Sequence, residues 1–166
     1  MKKRFSVLKK GLFVLPLALM AMPVFSQSNL LVGSWRLTAA DKILPDGRQV
    51  ADYGEAPRGI AIFSANGHYA VEIFQTNRIK FASADLTKGT SKEYKDTVLK
   101  ISCHFGTYAV DEAKGTIVFY IDRASFPGWD ETTSVRTFTL EGDKLAWRVS
   151  PRPDGSIPVS VFSRIP

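Results

Sequence analysis

Along most of the chain, apolar residues come in short runs rich in β-branched and aromatic side chains, cut by Gly, Asn, Asp and Pro. Segments 34–40, 58–64, 68–75, 103–110, 116–122, 132–140, 144–149 and 158–164 have this character and predict eight strands. Most neighbours are joined by short connections, which predicts an antiparallel meander. Two turns set a register. Asn66-Gly67 is a strong two-residue hairpin signal. It pairs Ala65 with His68, Ile62 with Val71 and Ile60 with Ile73. Ile60, Ile62, Tyr69, Val71 and Ile73 then share one face, and Ala61, Phe63, Glu72 and Phe74 share the other. Gly142-Asp143 puts glycine in the first central position, as a type II′ turn wants. It pairs Leu140 with Leu145, Phe138 with Trp147 and Arg136 with Val149, so those six residues share a face.

The period changes once. Thr90-Ser91-Lys92-Glu93 reads as a capping box, and Tyr94, Val98 and Ile101 follow at helical spacing. A short amphipathic helix is expected there, lying against the strands or across one end of them as a lid or plug. Segments 42–57 and 124–131 are rich in Pro, Gly and Asp and read as rim loops. An open eight-stranded meander has two edges, and closing it removes both. The expected fold is all-β: an eight-stranded antiparallel up-and-down barrel with one short helix between the third and fourth strands. Its interior holds side chains or one small ligand. A two-sheet sandwich is the alternative, but it usually needs long Greek-key connections.

The net charge is informative only once its position along the chain is read. The 166 residues carry a formal net charge of +6, which alone points to nucleic acid or an anionic membrane. Lys2, Lys3, Arg4, Lys9 and Lys10 precede an uncharged apolar run from Gly11 to Met22, followed by Pro23-Val24-Phe25-Ser26-Gln27. This is the pattern of a secretory signal peptide. The run is short for a membrane span and contains Pro16; an uncleaved N-terminal anchor is the alternative. Residues 1–26 are read as the signal and 27–166 as one barrel domain. Removing five bases and no acids takes +6 to +1. The expectation is a periplasmic or secreted protein with no nucleic-acid partner and no membrane anchor after cleavage. Cys103 is the single cysteine, so an intrachain disulfide is excluded, and burial would protect the thiol.

Candidate chemistry is sparse. Cys103-His104 has the look of a nucleophile and its base, but neighbours on a strand point to opposite faces. His68 beside a tight turn is expected to be exposed. Two histidines without metal-ligand spacing predict no metal site, and no cofactor fingerprint occurs. Arg136 is the informative polar residue, because its register puts a guanidinium on an apolar face. If that face lines the barrel, the charge needs a partner. One reading is an anchor for a ligand carboxylate or other anion. The other is an internal salt bridge, or packing on the Trp35 ring to close one end. Tyr69, Tyr108 and Phe119 fall on candidate interior faces, His104 shares the face of Tyr108 and Val110, and Trp129 sits in a loop at a possible mouth. With Arg136, Phe138 and Trp147 these are the candidate ligand-binding residues; alternatively the rings simply fill the core.

Several pieces stand in a fixed order. Leu31-Val32-Gly33-Ser34-Trp35-Arg36-Leu37 comes first, then Tyr53-Gly54, Pro57-Arg58-Gly59 and Ala65-Asn66-Gly67-His68-Tyr69. Phe81-Ala82 with Asp85 follows, then Phe105-Gly106-Thr107-Tyr108-Ala109-Val110-Asp111. Phe126-Pro127-Gly128-Trp129, Val135-Arg136-Thr137-Phe138 and Gly142-Asp143-Lys144-Leu145 complete the set. Over nearly all of the chain after residue 26, this resembles the lipocalin-like domain family of bacteria and fungi, small calycin-type barrels. Gly33-Ser34-Trp35 is similar to the Gly-X-Trp of lipocalins generally, on which an arginine often stacks. Relatives often carry a histidine near Tyr120; this chain does not, so a catalytic role resting on it does not carry over. The resemblance implies reversible binding of a small hydrophobic or anionic amphipathic molecule, without a cofactor. A cavity enzyme of isomerase, cyclase or hydratase type is the alternative, with His104 and Tyr108 as acid–base groups and Arg136 facing an oxyanion. A filled barrel that binds protein at its surface is the third reading.

Overall fold

The computed structural model describes residues 30–166; the expected signal segment lies outside them. The strands are β1 (Gly33–Ile43), β2 (Gln49–Ala51), β3 (Arg58–Phe63), β4 (His68–Phe74), β5 (Ile101–Asp111), β6 (Thr116–Ala124), β7 (Thr133–Glu141), β8 (Lys144–Arg148) and β9 (Ile157–Arg164). From β3 to β9 each strand pairs antiparallel with the next, and β1 pairs with both β3 and β9. Eight strands therefore close into an up-and-down barrel. The three-residue β2 pairs with the end of β1 as a side ribbon. It lies inside the segment expected to be only a loop. The helix α1 (Ser91–Leu99) occupies its expected place in the chain; counted with β2, it falls between the fourth and fifth strands.

The two hairpins turn out differently. In the β7–β8 hairpin Leu140 faces Leu145 and Phe138 faces Trp147. Gly142 takes φ +57° and Asp143 stays at negative φ, which is the type II′ turn its sequence asks for. In the β3–β4 hairpin Ile62 faces Ala70 and Phe63 faces Tyr69, one residue out of the expected register. Ser64 N donates to His68 O at 2.9 Å and Gly67 N to Ser64 O at 3.1 Å. The loop thus holds Ala65, Asn66 and Gly67, with Gly67 at φ +83°. A three-residue loop that ends in a left-handed glycine uses the same Asn-Gly pair as the two-residue turn. The extra residue turns β3 over. Ala61 and Phe63 go inside with Tyr69, Val71 and Ile73, and Ile62 is left 42% exposed beside Glu72 on the outer face.

The interior divides along its axis. At one end lie the tight turns 64–67, 112–115 and 142–143, and here the barrel is solid. Leu31, Trp35, Phe63, Ile117, Phe119, Leu145, Trp147 and Phe162 are almost fully buried. Phe63 meets Tyr108 edge-on at 4.9 Å, and Trp147 lies 4.3 Å from Phe162. Each buried Phe, Leu or Ile contributes about 1.5–3 kcal/mol. Trp35 donates its indole N–H to Leu31 O at 2.8 Å. Its ring is covered by the guanidinium of Arg164 at 4.0 Å, and Arg164 Nη1 donates to Val32 O at 2.8 Å. The arginine that closes this end is therefore Arg164, whose strand position pairs it with Trp35, and not Arg136.

The other end carries the longer connections 75–100, 125–132 and 149–156. The capping box of α1 forms as expected. Thr90 Oγ1 accepts from Glu93 N at 3.3 Å, and Glu93 Oε2 accepts from Thr90 N at 2.7 Å. The helix does not pack on the strands. None of its residues is buried, and Val98 and Leu99 are 48% and 65% exposed. Tyr94 instead holds it to its own loop, meeting Phe81 at 5.4 Å and accepting from Gly89 N at 2.8 Å. Ile101, the expected third member of the apolar stripe, begins β5.

Candidate functional site

The open half of the barrel encloses a chamber of about 420 Å³. Arg136, 8% exposed, reaches it from β7. The Gly142 hairpin sets the register that turns Arg136 inward. Phe119 and Trp147, at the top of the solid half, support its guanidinium at 4.5 and 5.4 Å. Nη2 lies 2.9 Å from His104 Nε2, and Nε lies 3.4 Å from Ser134 Oγ. A guanidinium can only donate, so His104 Nε2 is the acceptor and the imidazole proton sits on Nδ1. Nδ1 then donates to Tyr69 Oη at 2.9 Å. The order Arg136 to His104 to Tyr69 fixes the direction of every hydrogen bond in the chain.

Electrostatics agree with that direction. Burial, and then the neighbouring Arg136, push the His104 pKa down to about 3, so the ring is neutral near pH 7. Burial lowers Arg136 to about 10, which leaves it cationic. Burial also holds the Tyr69 hydroxyl well above the usual phenol range. Among the described residues no carboxylate lies within 4.0 Å of Arg136, and its Nη1 makes no hydrogen bond to the protein. A buried charge loses several kcal/mol of hydration. Two ring faces return about 0.5–2 kcal/mol each. The hydrogen bonds to His104 and Ser134 return a further part; what stays missing is an opposite charge.

Ile73, Ile121, Val149, Pro158 and Trp129 supply much of the apolar wall, and Ser102, Thr133, Ser134, Ser150 and Ser160 add hydroxyl groups. At the mouth Asp52 joins two loops. Its carboxylate accepts from Arg152 Nη2 at 2.6 Å and lies 3.2 Å from Lys42 Nζ. Burial works against its ionisation, but Arg152 and Lys42 outweigh it and hold the carboxyl below the usual range.

Of the residues singled out in the sequence, Arg136, His104 and Trp129 come together on the chamber wall. Tyr69 stands behind His104, and Phe119 and Trp147 lie under the guanidinium. Tyr108 points to the solid end, where its hydroxyl donates to Ser64 O at 3.2 Å, and Phe138 is part of that packing. No residue of α1 lines the chamber, so the expected lid has no contact through which to act. Cys103 faces the opposite side of β5 from His104, opposite Glu72, and His68 is exposed. Sequence reasoning missed Ser134, Ser160, Asp52 and Arg152. Strand parity with Arg136 and Phe162 marks Ser134 and Ser160 as inward; nothing local marks the two loop residues.

A closed up-and-down barrel, solid at its tight-turn end and hollow at its long-loop end, defines a lipocalin-type architecture. The chain belongs to the lipocalin-like domain family, whose model matches residues 32–163. Among solved structures it is similar to a lipocalin-like protein from Bacteroides uniformis ATCC 8492, with 16% identity over 81% of this chain and 98% of that one and a TM-score of 0.42. It is also similar to a mutant of the fluorescent protein UnaG, with 14% identity over 82% of this chain and 96% of that one and a TM-score of 0.38. No curated protein sequence matches the chain significantly.

Proposed function

We propose that this chain is an exported protein that reversibly binds a small amphipathic organic anion in the chamber. The acidic group sits on Arg136, and the apolar body lies against Ile73, Ile121, Val149 and Trp129. One observation carries the reading: a buried guanidinium with no carboxylate partner among the described residues opens on a chamber of about 420 Å³, a volume within the small-molecule range of about 300–1,000 Å³. The lipocalin-like fold, which generally takes small hydrophobic ligands, supports it. The basic start and uncharged run before residue 27 support export. Catalysis finds less support. Both His104 nitrogens are engaged and the ring is held neutral, so it is a poor base near pH 7.

Native mass spectrometry on protein recovered gently from the periplasm of expressing cells tests this. The expected result is a small acidic molecule carried by the wild type, released on denaturation and missing from R136Q. An equal load in R136Q would overturn the role of Arg136.

A further inference from the structure

Anchoring an acid on Arg136 leaves a second polar group on the chamber wall unused. Ser160 on β9 is 7% exposed and lines the chamber. It faces Trp147 across β8, and Trp147 in turn faces Phe138 on β7. Ser160 and Arg136 therefore open on the chamber from one wall, two strand spacings across and two residues along the strand, or about 12 Å apart in the backbone. Along β9 the inward neighbour of Ser160 toward the solid end is the fully buried Phe162, and Pro158 lies toward the mouth. An apolar residue at 160 would continue that surface. Among the described residues the Ser160 hydroxyl has no hydrogen-bond partner, whereas Ser134 and Thr132 beside the same chamber do; Thr133 and Ser150 also lack one, but they are exposed where Ser160 is buried.

A hydroxyl taken out of water without a partner is costly, and an alkyl ligand against it would leave it unsatisfied. We infer that Ser160 is a specificity-determining contact, and that the ligand is an organic acid with a second oxygen function, a hydroxyl or carbonyl, rather than an unsubstituted fatty acid. This inference rests on the reading that Arg136 holds the acid. A serine hydroxyl both donates and accepts, so either oxygen function satisfies it. The acid goes to the cation and the second oxygen goes to Ser160. The body between them crosses the apolar strip formed by Val149 and its neighbours. A site built around a hydrogen bond discriminates strongly against the analogue that lacks it.

Titration calorimetry with 2-naphthoate, 6-hydroxy-2-naphthoate and 7-hydroxy-2-naphthoate tests the inference on wild type, S160A and R136Q. At least one hydroxylated acid is expected to bind the wild type about fivefold to tenfold more tightly than 2-naphthoate. That gain is expected to vanish in S160A, while 2-naphthoate binds S160A within about twofold of wild type. The S160A melting temperature is expected not to fall, because the hydroxyl has no protein partner to lose. R136Q weakens all three acids alike. If 2-naphthoate needs Arg136 but neither hydroxyl adds affinity, or the gain survives in S160A, the inference fails while the role of Arg136 stands. If 2-naphthoate binds R136Q as well as wild type, both fail.

Discussion

The two halves of this barrel use the same strands for opposite ends. In the tight-turn half, side chains on inward parity are large and apolar, and ring meets ring from Phe63 to Phe162. In the long-loop half, the same parity delivers His104, Ser134, Arg136 and Ser160. β7 shows the change within a single strand: Phe138 and Leu140 pack in the core, and two residues away Arg136 opens on the chamber. Stability is thus concentrated in one half and chemistry in the other. Phe119 and Trp147 form the boundary, as they close the core and support the guanidinium.

Substitutions should separate the halves. The largest effect is expected from F63A, which removes a ring touching Tyr108, Phe119 and Trp147. Chemical denaturation should show a loss of about 3–5 kcal/mol. A loss below about 1 kcal/mol would mean that the solid half does not hold the fold.

The next effect belongs to pH. His104 is held at about 3 in the folded protein against about 6.5 in the unfolded chain. The unfolded state binds the proton first, so stability is complete above pH 6.5 and is lost as pH falls toward 3. The slope approaches about 1.4 kcal/mol per pH unit. Most paired carboxylates contribute in the same direction only at lower pH, so the interval between about 6.5 and 4.5 isolates the histidine. H104Q should flatten the stability profile there; an unchanged slope would place its origin elsewhere.

A smaller effect is expected at the mouth. R152A removes the Asp52 link between two loops, and stability should fall by about 1 kcal/mol or less. Hydrogen exchange should quicken in 44–57 and 149–156 but not at Phe63 or Phe162. The smallest effect is expected from T90A. It costs about 0.5–1 kcal/mol locally and frays α1, yet it should leave the midpoint of barrel unfolding in place, because the helix rests on its own loop. A matching shift of that midpoint would show that the helix is part of the barrel core.

The halves also differ in how far the sequence reveals them. The closed barrel, its strands and the β7–β8 register follow from alternation and from a glycine at the first central position of a two-residue turn. The β3–β4 register does not, because Asn66-Gly67 serves two loop lengths and a single residue reverses every side chain on β3. Arg136 stands out as a charge on an apolar face. His104 is legible as inward, but its link to Arg136 depends on side chains meeting across the barrel from β5 and β7. Ser134 and Ser160 look like outward polar residues until strand parity is counted. The ion pair of Asp52 with Arg152 joins residues 100 positions apart in loops, where no periodicity applies. The resting place of α1 is equally hidden, since Tyr94 turns to Phe81 and Gly89 of its own loop while Val98 stays half exposed.

The proposed anion site of the hollow half rests on a buried cation that has no carboxylate partner among the described residues. Two fluorescent probes isolate it: 1-anilinonaphthalene-8-sulfonate, and N-phenyl-1-naphthylamine, which has the same rings without the sulfonate. Wild type should prefer the sulfonate probe, and R136Q should lose at least about tenfold of its affinity, with N-phenyl-1-naphthylamine unchanged within about twofold and no drop in melting temperature. Equal losses for both probes, or none for either, would contradict the account.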